Sequence, residues 1–267
     1  MPIPASRGSQ LVRDINQALQ AAARYVSRDE FWFRRFLAEA EKLKGAAPHE
    51  AQNVLAQLYG LAGDAEEAEK HIDAAIRMKY NAAYVCNKAG ILSNLGYFKK
   101  SVPSFLESID PRNGIFTTRW ELGLCLGCMH ELAKFVEDAQ RMNLEHMDSV
   151  DVRLIADVVG LMDEISLTDE KLTQALDIAG ELLRENRIFF VGNGPAIDVW
   201  KADALEKHLA YIFKLSISAN EAIVLDEELG FRLFERCPEL PLELMIHFES
   251  VSLSAHERLP SRPALAG

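Results

Sequence analysis

The stretch Leu55-Ala56-Gln57-Leu58-Tyr59-Gly60-Leu61-Ala62-Gly63-Asp64-Ala65-Glu66-Glu67-Ala68 decides the fold. Leu55, Ala56 and Tyr59 share one face of a helix. Gly63-Asp64 breaks that helix, because glycine accepts the left-handed conformation in which helices end. A second helix comes next, with Ala65, Ala68, Ile72, Ala75 and Ile76 on one stripe. Ala56, Ala68 and Ala75 are small where two helices must approach. Tyr59 and Ile72 are large and fill the space between hairpins.

The same order recurs downstream. Ala89, Leu92 and Gly96 precede Ser101, Phe105 and Ser108, and the unit closes at Asp110-Pro111, a helix stop. A third unit runs Leu122-Gly123, Leu126 and His130, then Phe135, Ala139 and Met142. Ala56, Ala89 and Gly123 fall in register, as do Tyr59, Leu92 and Leu126, and Gly63, Gly96 and His130, at spacings of 33 and then 34 residues. A period of about 34 residues marks stacked helical hairpins. Over residues 49–143 the chain resembles the tetratricopeptide repeat family, which pairs a large and a small residue in the first helix, an aromatic one turn on, a turn glycine, and alanines in the second helix. His130 departs from that pattern at the turn glycine, Lys88 at a large apolar position and Phe135 at an alanine, so related hairpin arrays with looser motifs stay open.

The resemblance implies an α-solenoid whose first helices line a concave groove. Carried onto this chain, that groove contains Asn53, Gln57 and Gly60, then Cys86, Asn87, Gly90 and Ser93, then Trp120, Leu124 and Gly127. Relatives that clamp a C-terminal carboxylate need lysines and an arginine. Thr117 and Glu121 stand at the third-unit places, so no cation would balance a buried anion. The groove is instead one of small and amide residues. Asn53, Gln57 and Asn87 are placed to bond a peptide backbone, Gly90 leaves room, Leu124 adds apolar surface, and Trp120 either anchors a partner side chain or packs between hairpins.

Hydrophobic residues make up 49% of the 267-residue chain, enough for substantial cores. The formal charge of −11 gives no global positive field, which argues against a non-specific nucleic-acid binder and steers the expectation toward a basic protein or peptide partner. Four cysteines, Cys86, Cys125, Cys128 and Cys237, suggest no disulfide framework. No signal peptide and no membrane span are read, and the expected location is the cytoplasm.

Outside the repeats, residues 1–8 read as a disordered lead. Ser9 to Val26 reads as a helix and Asp29 to Lys44 as another, behind a Ser27/Glu30 capping box. Phe31, Trp32, Phe33 and Phe36 form an aromatic cluster there, read as core. The array is expected over residues 9–186, as four or five hairpins. A helix from Thr168 is placed to serve both the array and the module after it. Residues 187–253 read as a small α+β module: a hairpin of Ile188–Val191 and Ala196–Trp200 turning at Gly192-Asn193-Gly194-Pro195, a strand from His208 with Leu209, Tyr211, Phe213, Leu215 and Ile217 on one face, a helix from Asn220, and a strand from Glu243 to Val251. Residues 254–267 read as a flexible tail. The fold class is therefore mainly α, an α-solenoid of hairpins followed by an α+β module.

Chemistry is thin. Cys125 and Cys128 form a C-x-x-C on one helix without the second pair a zinc site needs. Gly192-Asn193-Gly194 lacks the third glycine and immediate helix of a dinucleotide loop. No cofactor or metal is expected. Glu145, Asp148, Asp151, Asp157, Asp163, Glu164, Asp169 and Glu170 face a single Arg153, as a solvated face or as a docking strip for a basic partner. The expected function is protein recognition, as an adaptor, chaperone or regulator. The competing class is a hydrolase or nuclease using Asp198, Lys201, Asp203, Glu206, His208 and His247, with the repeats selecting substrate.

Overall fold

The computed structural model describes residues 6–110, 112, 116–142, 152–190, 192, 194–203 and 206–251. The acids Glu145, Asp148 and Asp151, the start of the lead and the tail at 254–267 lie outside them. The described residues form eleven helices and three strands: α1 (Arg7–Ala21), α2 (Phe31–Leu43), α3 (Pro48–Leu61), α4 (Ala65–Met78), α5 (Ala82–Asn94), α6 (Phe98–Ser108), α7 (Phe116–Leu126), α8 (Met129–Arg141), α9 (Val152–Glu164), α10 (Asp169–Glu185), β1 (Ala196–Asp203), β2 (Glu206–Leu215), α11 (Ala219–Arg236) and β3 (Leu244–Ser250). Most consecutive helices pack against their neighbours, and a small sheet closes the chain, so the molecule is mainly α with a small α+β part.

Turn chemistry sets the repeat register. Gly63, Gly96 and Gly127 hold φ of +77°, +75° and +71°. Just beyond each, a backbone N–H reaches back over the turn: Asp64 to Tyr59 O at 3.0 Å, Tyr97 to Leu92 O at 2.8 Å and Cys128 to Gly123 O at 3.0 Å. This is the glycine-ended helix stop that satisfies orphan carbonyls. The third turn therefore lies at Gly127, 31 residues after Gly96, and not at His130, which sits in the first turn of α8. In this register Trp120 falls with Ala56 and Ala89, while Leu132, Val136 and Ala139 fall with Ser101, Phe105 and Ser108, all of them buried. α9 ends in the same way on Ser166, at φ +55°, with Leu167 N–H bonded to Met162 O at 2.8 Å.

The first helix is shorter than its periodicity suggests. It ends at Ala21, and the next residues run extended because they pair elsewhere. Phe189 N–H bonds to Ala23 O, Tyr25 N–H to Arg187 O and Val26 N–H to Leu61 O, each at 3.0 Å. Glu30 reaches back to the Ser27 N–H at 3.3 Å, yet α2 begins only at Phe31. In the aromatic cluster, Phe33 and Phe36 are buried and Phe31 faces solvent.

The sheet has the order β1-β2-β3, with β1 antiparallel and β3 parallel to β2. The hairpin is thus β1 with β2. Residues 188–190 are not its partner: they make isolated bridges, Ile188 to Arg24 and Phe190 to Leu215. Adjacent side chains of an extended segment point to opposite sides. Phe189 accordingly joins the core of the amino-terminal hairpins, and Phe190 joins the core shared by the later helices and the sheet. In β2, Leu209, Tyr211, Phe213 and Leu215 face that second core, as the alternation predicts.

α10 lies across the hairpin turns and packs on α6 and α11. Thr168 caps it, accepting from Lys171 N–H. Asp169 in turn accepts the free N–H groups of His130 and Glu131 at the start of α8, at 3.1 and 3.3 Å. Asp177 accepts the Lys99 N–H at the start of α6, at 3.0 Å. Eight residues of helix rise about 12 Å, close to the 8–10 Å between packed helices, so one helix caps two successive hairpins. Carboxylates at helix N-termini are stabilised by the helix dipole.

Candidate functional site

The first helices α3, α5 and α7 pack side by side, with α1 against α3. Between them lies a cavity of about 260 Å³, lined by residues of α1, α3, α5 and α7 and by Phe189, Phe190 and Gly192. The chain's own extended segment therefore forms part of the groove wall.

Of the sequence-derived groove residues, Gln57, Cys86, Asn87, Gly90 and Ser93 line this cavity. Nothing lies within 4 Å of where a Cβ at Gly90 would stand, so the position opens into free space. Asn53 is buried beside them, and its Oδ1 accepts from Asn87 Nδ2 at 2.9 Å. That bond fixes the Asn87 amide relative to α3. Trp120 is buried within the later-helix core, at 6% exposure, as its register with Ala56 and Ala89 requires. Leu124 is half-buried against that core. Gly60 faces α5 closely, since a Cβ there would sit 3.1 Å from Ile91.

The structure adds Asn16, Gln20, Asn94 and Glu121 to the lining. Asn94 stands two helical turns after Asn87 and is readable as the next polar residue on the same face. Asn16 and Gln20 are not readable in this way, because nothing local shows where α1 docks. The site is thus a cleft of mixed character, in which carboxamides from three helices and one carboxylate stand among Leu19, Ile91, Leu122, Phe189 and Phe190. A carboxamide offers both donor and acceptor, which suits a peptide backbone.

The other constellations lie away from this cavity, and His208 Nδ1 and His247 Nε2 are buried without a hydrogen-bond partner among the described residues. Cys125 lies in α7, and Cys128 caps the next helix rather than continuing the same one. Both are buried free thiols whose pKa burial pushes up to about 12, so neither ionises near neutrality. Asp198, His208 and His247 sit on the face of the sheet opposite the Leu209–Leu215 row, across from Ala210, Trp200 and Ile212. Four strand positions, roughly 13 Å, separate the two histidine rows, so the two imidazoles do not meet. The side chains of Lys201, Asp203 and Glu206 lie outside the described residues. In the acidic strip, Glu164 pairs with Lys207, while Asp163 and Asp169 flank His130. Among the described residues, no three His, Cys, Asp or Glu side chains gather as metal ligands, and no helix is long and apolar enough to cross a membrane.

His130 is the titrating joint of this region. Its Nδ1 lies 2.7 Å from Asp169 and its Nε2 3.1 Å from Asp163, joining α8 to the ends of α9 and α10. Burial pulls its pKa down, but the hydrogen bonds to Asp169 and Asp163 outweigh burial and hold it above the ordinary 6.5. The stabilisation is fully present below 6.5 and fades as pH rises through the higher folded value. The melting-temperature gap between wild type and His130→Gln is expected to be largest near pH 6 and to shrink by pH 9. A gap that widens on the alkaline side would contradict this arrangement.

No family model, curated protein or solved structure matches the chain.

Proposed function

We propose that the chain is a protein-recognition module of tetratricopeptide type, which binds a peptide or protein segment in the groove between its first helices as an adaptor, chaperone or regulator. The observation that carries this reading is the cavity where the amides of Gln57, Asn87 and Asn94 converge, among apolar side chains, beside the open position at Gly90. The amides bond the backbone of an extended segment, and the gap at Gly90 admits a side chain. Glu121 at the cavity and the formal charge of −11 favour a segment carrying Lys or Arg. The cytoplasm is the setting in which such a module works.

The test uses a random peptide library displayed on phage and selected on the immobilised protein. Gly90→Leu fills the cavity from an open helical position, so the fold is kept. Selected peptides are expected to be rich in Lys and Arg and to bind Gly90→Leu at least tenfold more weakly than wild type. Selection of no consensus, or of peptides that bind both proteins alike, overturns groove recognition.

A further inference from the structure

α11 is apolar on two opposite sides. Ala222, Leu225 and Leu229 are buried against the sheet and α10. On the other side, Ile223, Val224, Phe231 and Phe234 stand in solvent, the two phenylalanines at 69% and 77% exposure. At 100° per residue, Ile223, Glu227, Gly230 and Phe234 form a single seam with spacings of four, three and four, flanked by Val224 and Phe231. A helix that is apolar all round is normally covered on every side. Two exposed phenylalanines with an isoleucine and a valine present roughly 500 Å² of apolar surface, at the upper range of the largest patch on an ordinary monomer.

We infer that this ridge pairs with the same ridge of a second copy, antiparallel about a two-fold axis near residue 228. The pattern is self-complementary in that sense. Reversing one helix sets Ile223 against Phe234 of the other copy and leaves Val224 about 3 Å along the axis from Phe231 of that copy, within side-chain reach, so each aliphatic residue meets an aromatic. It also sets Glu227 over Gly230, where nothing lies within 4 Å of a Cβ and the carboxylate has room to turn to the edge. A two-fold contact of this kind is isologous, as closed dimers require. Two such ridges bury on the order of 1,000 Å², the lower bound for a biological interface. Arg232 and Arg236 do not interfere, since both are held by Glu181, Arg232 by Glu185 and Glu228 as well. No residue of the ridge lines the groove cavity, so the pairing does not depend on groove recognition.

Sedimentation equilibrium over roughly 1–100 μM tests the pairing. Wild type is expected to populate twice the 29.9 kDa chain mass, and Phe231→Ser/Phe234→Ser only the chain mass, with the same circular dichroism as wild type. Glu227→Leu places an apolar side chain over Gly230 and is expected to tighten the dimer at least tenfold. Oxidation of Ile223→Cys/Phe234→Cys is expected to give a covalent dimer, while neither single variant does so, because each cysteine faces the other position. The native cysteines are all buried and give little background. A wild type that stays monomeric at ~100 μM overturns the proposal and leaves the ridge to a different protein. A dimer unaffected by the serine pair, or cross-linking by a single cysteine, overturns it as well.

Discussion

Gly180→Ala is expected to destabilise the protein by about 3 kcal/mol, at the top of the usual range for overpacking. A Cβ at Gly180 would stand 2.0 Å from the Gly96 carbonyl oxygen and 2.9 Å from the Phe98 ring. The obstacle is backbone, which cannot swing aside as a side chain can. Gly96 is itself fixed by its left-handed φ of +75° and by the turn it closes. The only relief is for α10 to lift from the α5–α6 turn. That would stretch the Lys99–Asp177 cap and pull Arg184 from the Gly96 carbonyl, to which it donates. For a chain of 267 residues, each kcal/mol shifts the melting temperature by roughly 2–4 °C, so a fall of roughly 6–12 °C is expected. Gly160→Ala is the control. It changes a helix-interior glycine with nothing within 4 Å of the new Cβ, and is expected to stabilise by about 0.5–1 kcal/mol. Thermal unfolding of both variants checks the pair. If Gly180→Ala melts with wild type, α10 does not cross the array at Gly96.

That contact is invisible to a reading along the chain, and the reason is general to this molecule. What local physics dictates is legible. Gly63 and Gly96 announce their turns, Thr168 its cap, and the alternation from Leu209 to Leu215 a strand with one buried face. Apolar matching alone favours a spacing of 34 and so misplaces the third turn. The backbone needs positive φ, which Gly127 supplies at 31. Moving the register by three residues carries Trp120 from the groove face to an interior position. The short run Ile188–Phe190 looks like half a hairpin. Its partners are Arg24 and Leu215, far away in sequence on both sides, and no local pattern encodes such a choice. In the groove, Gln57, Asn87 and Gly90 can be placed from helical periodicity once the first helices are known. Asn16 and Gln20 cannot, because their position depends on how α1 docks.

Phe213→Ala is expected to cost about 4 kcal/mol, within the 3–5 kcal/mol of fully buried phenylalanine truncations. The ring lies at the junction of three parts of the chain. Its centroid is 5.7 Å from Phe98 at the start of α6, 5.7 Å from Phe190 in the extended segment and 6.0 Å from Phe248 in β3. Removing it leaves a cavity bounded by the helical array on one side and the sheet on the other. If the two parts share one core, as the continuous cluster from Phe105 through Leu176 to Phe248 implies, the loss must appear in both. Amide hydrogen exchange distinguishes the cases. Slow amides of α5 and α6 and those of β2 are expected to lose the same ~4 kcal/mol of protection, because both exchange only through global opening. Loss confined to the strands would mean that the sheet opens by itself and that Phe98 contributes little to it. Phe190, which lines the groove cavity, packs on Phe98 of the array and on Phe213 of the sheet, so one residue joins the cavity wall to the shared core.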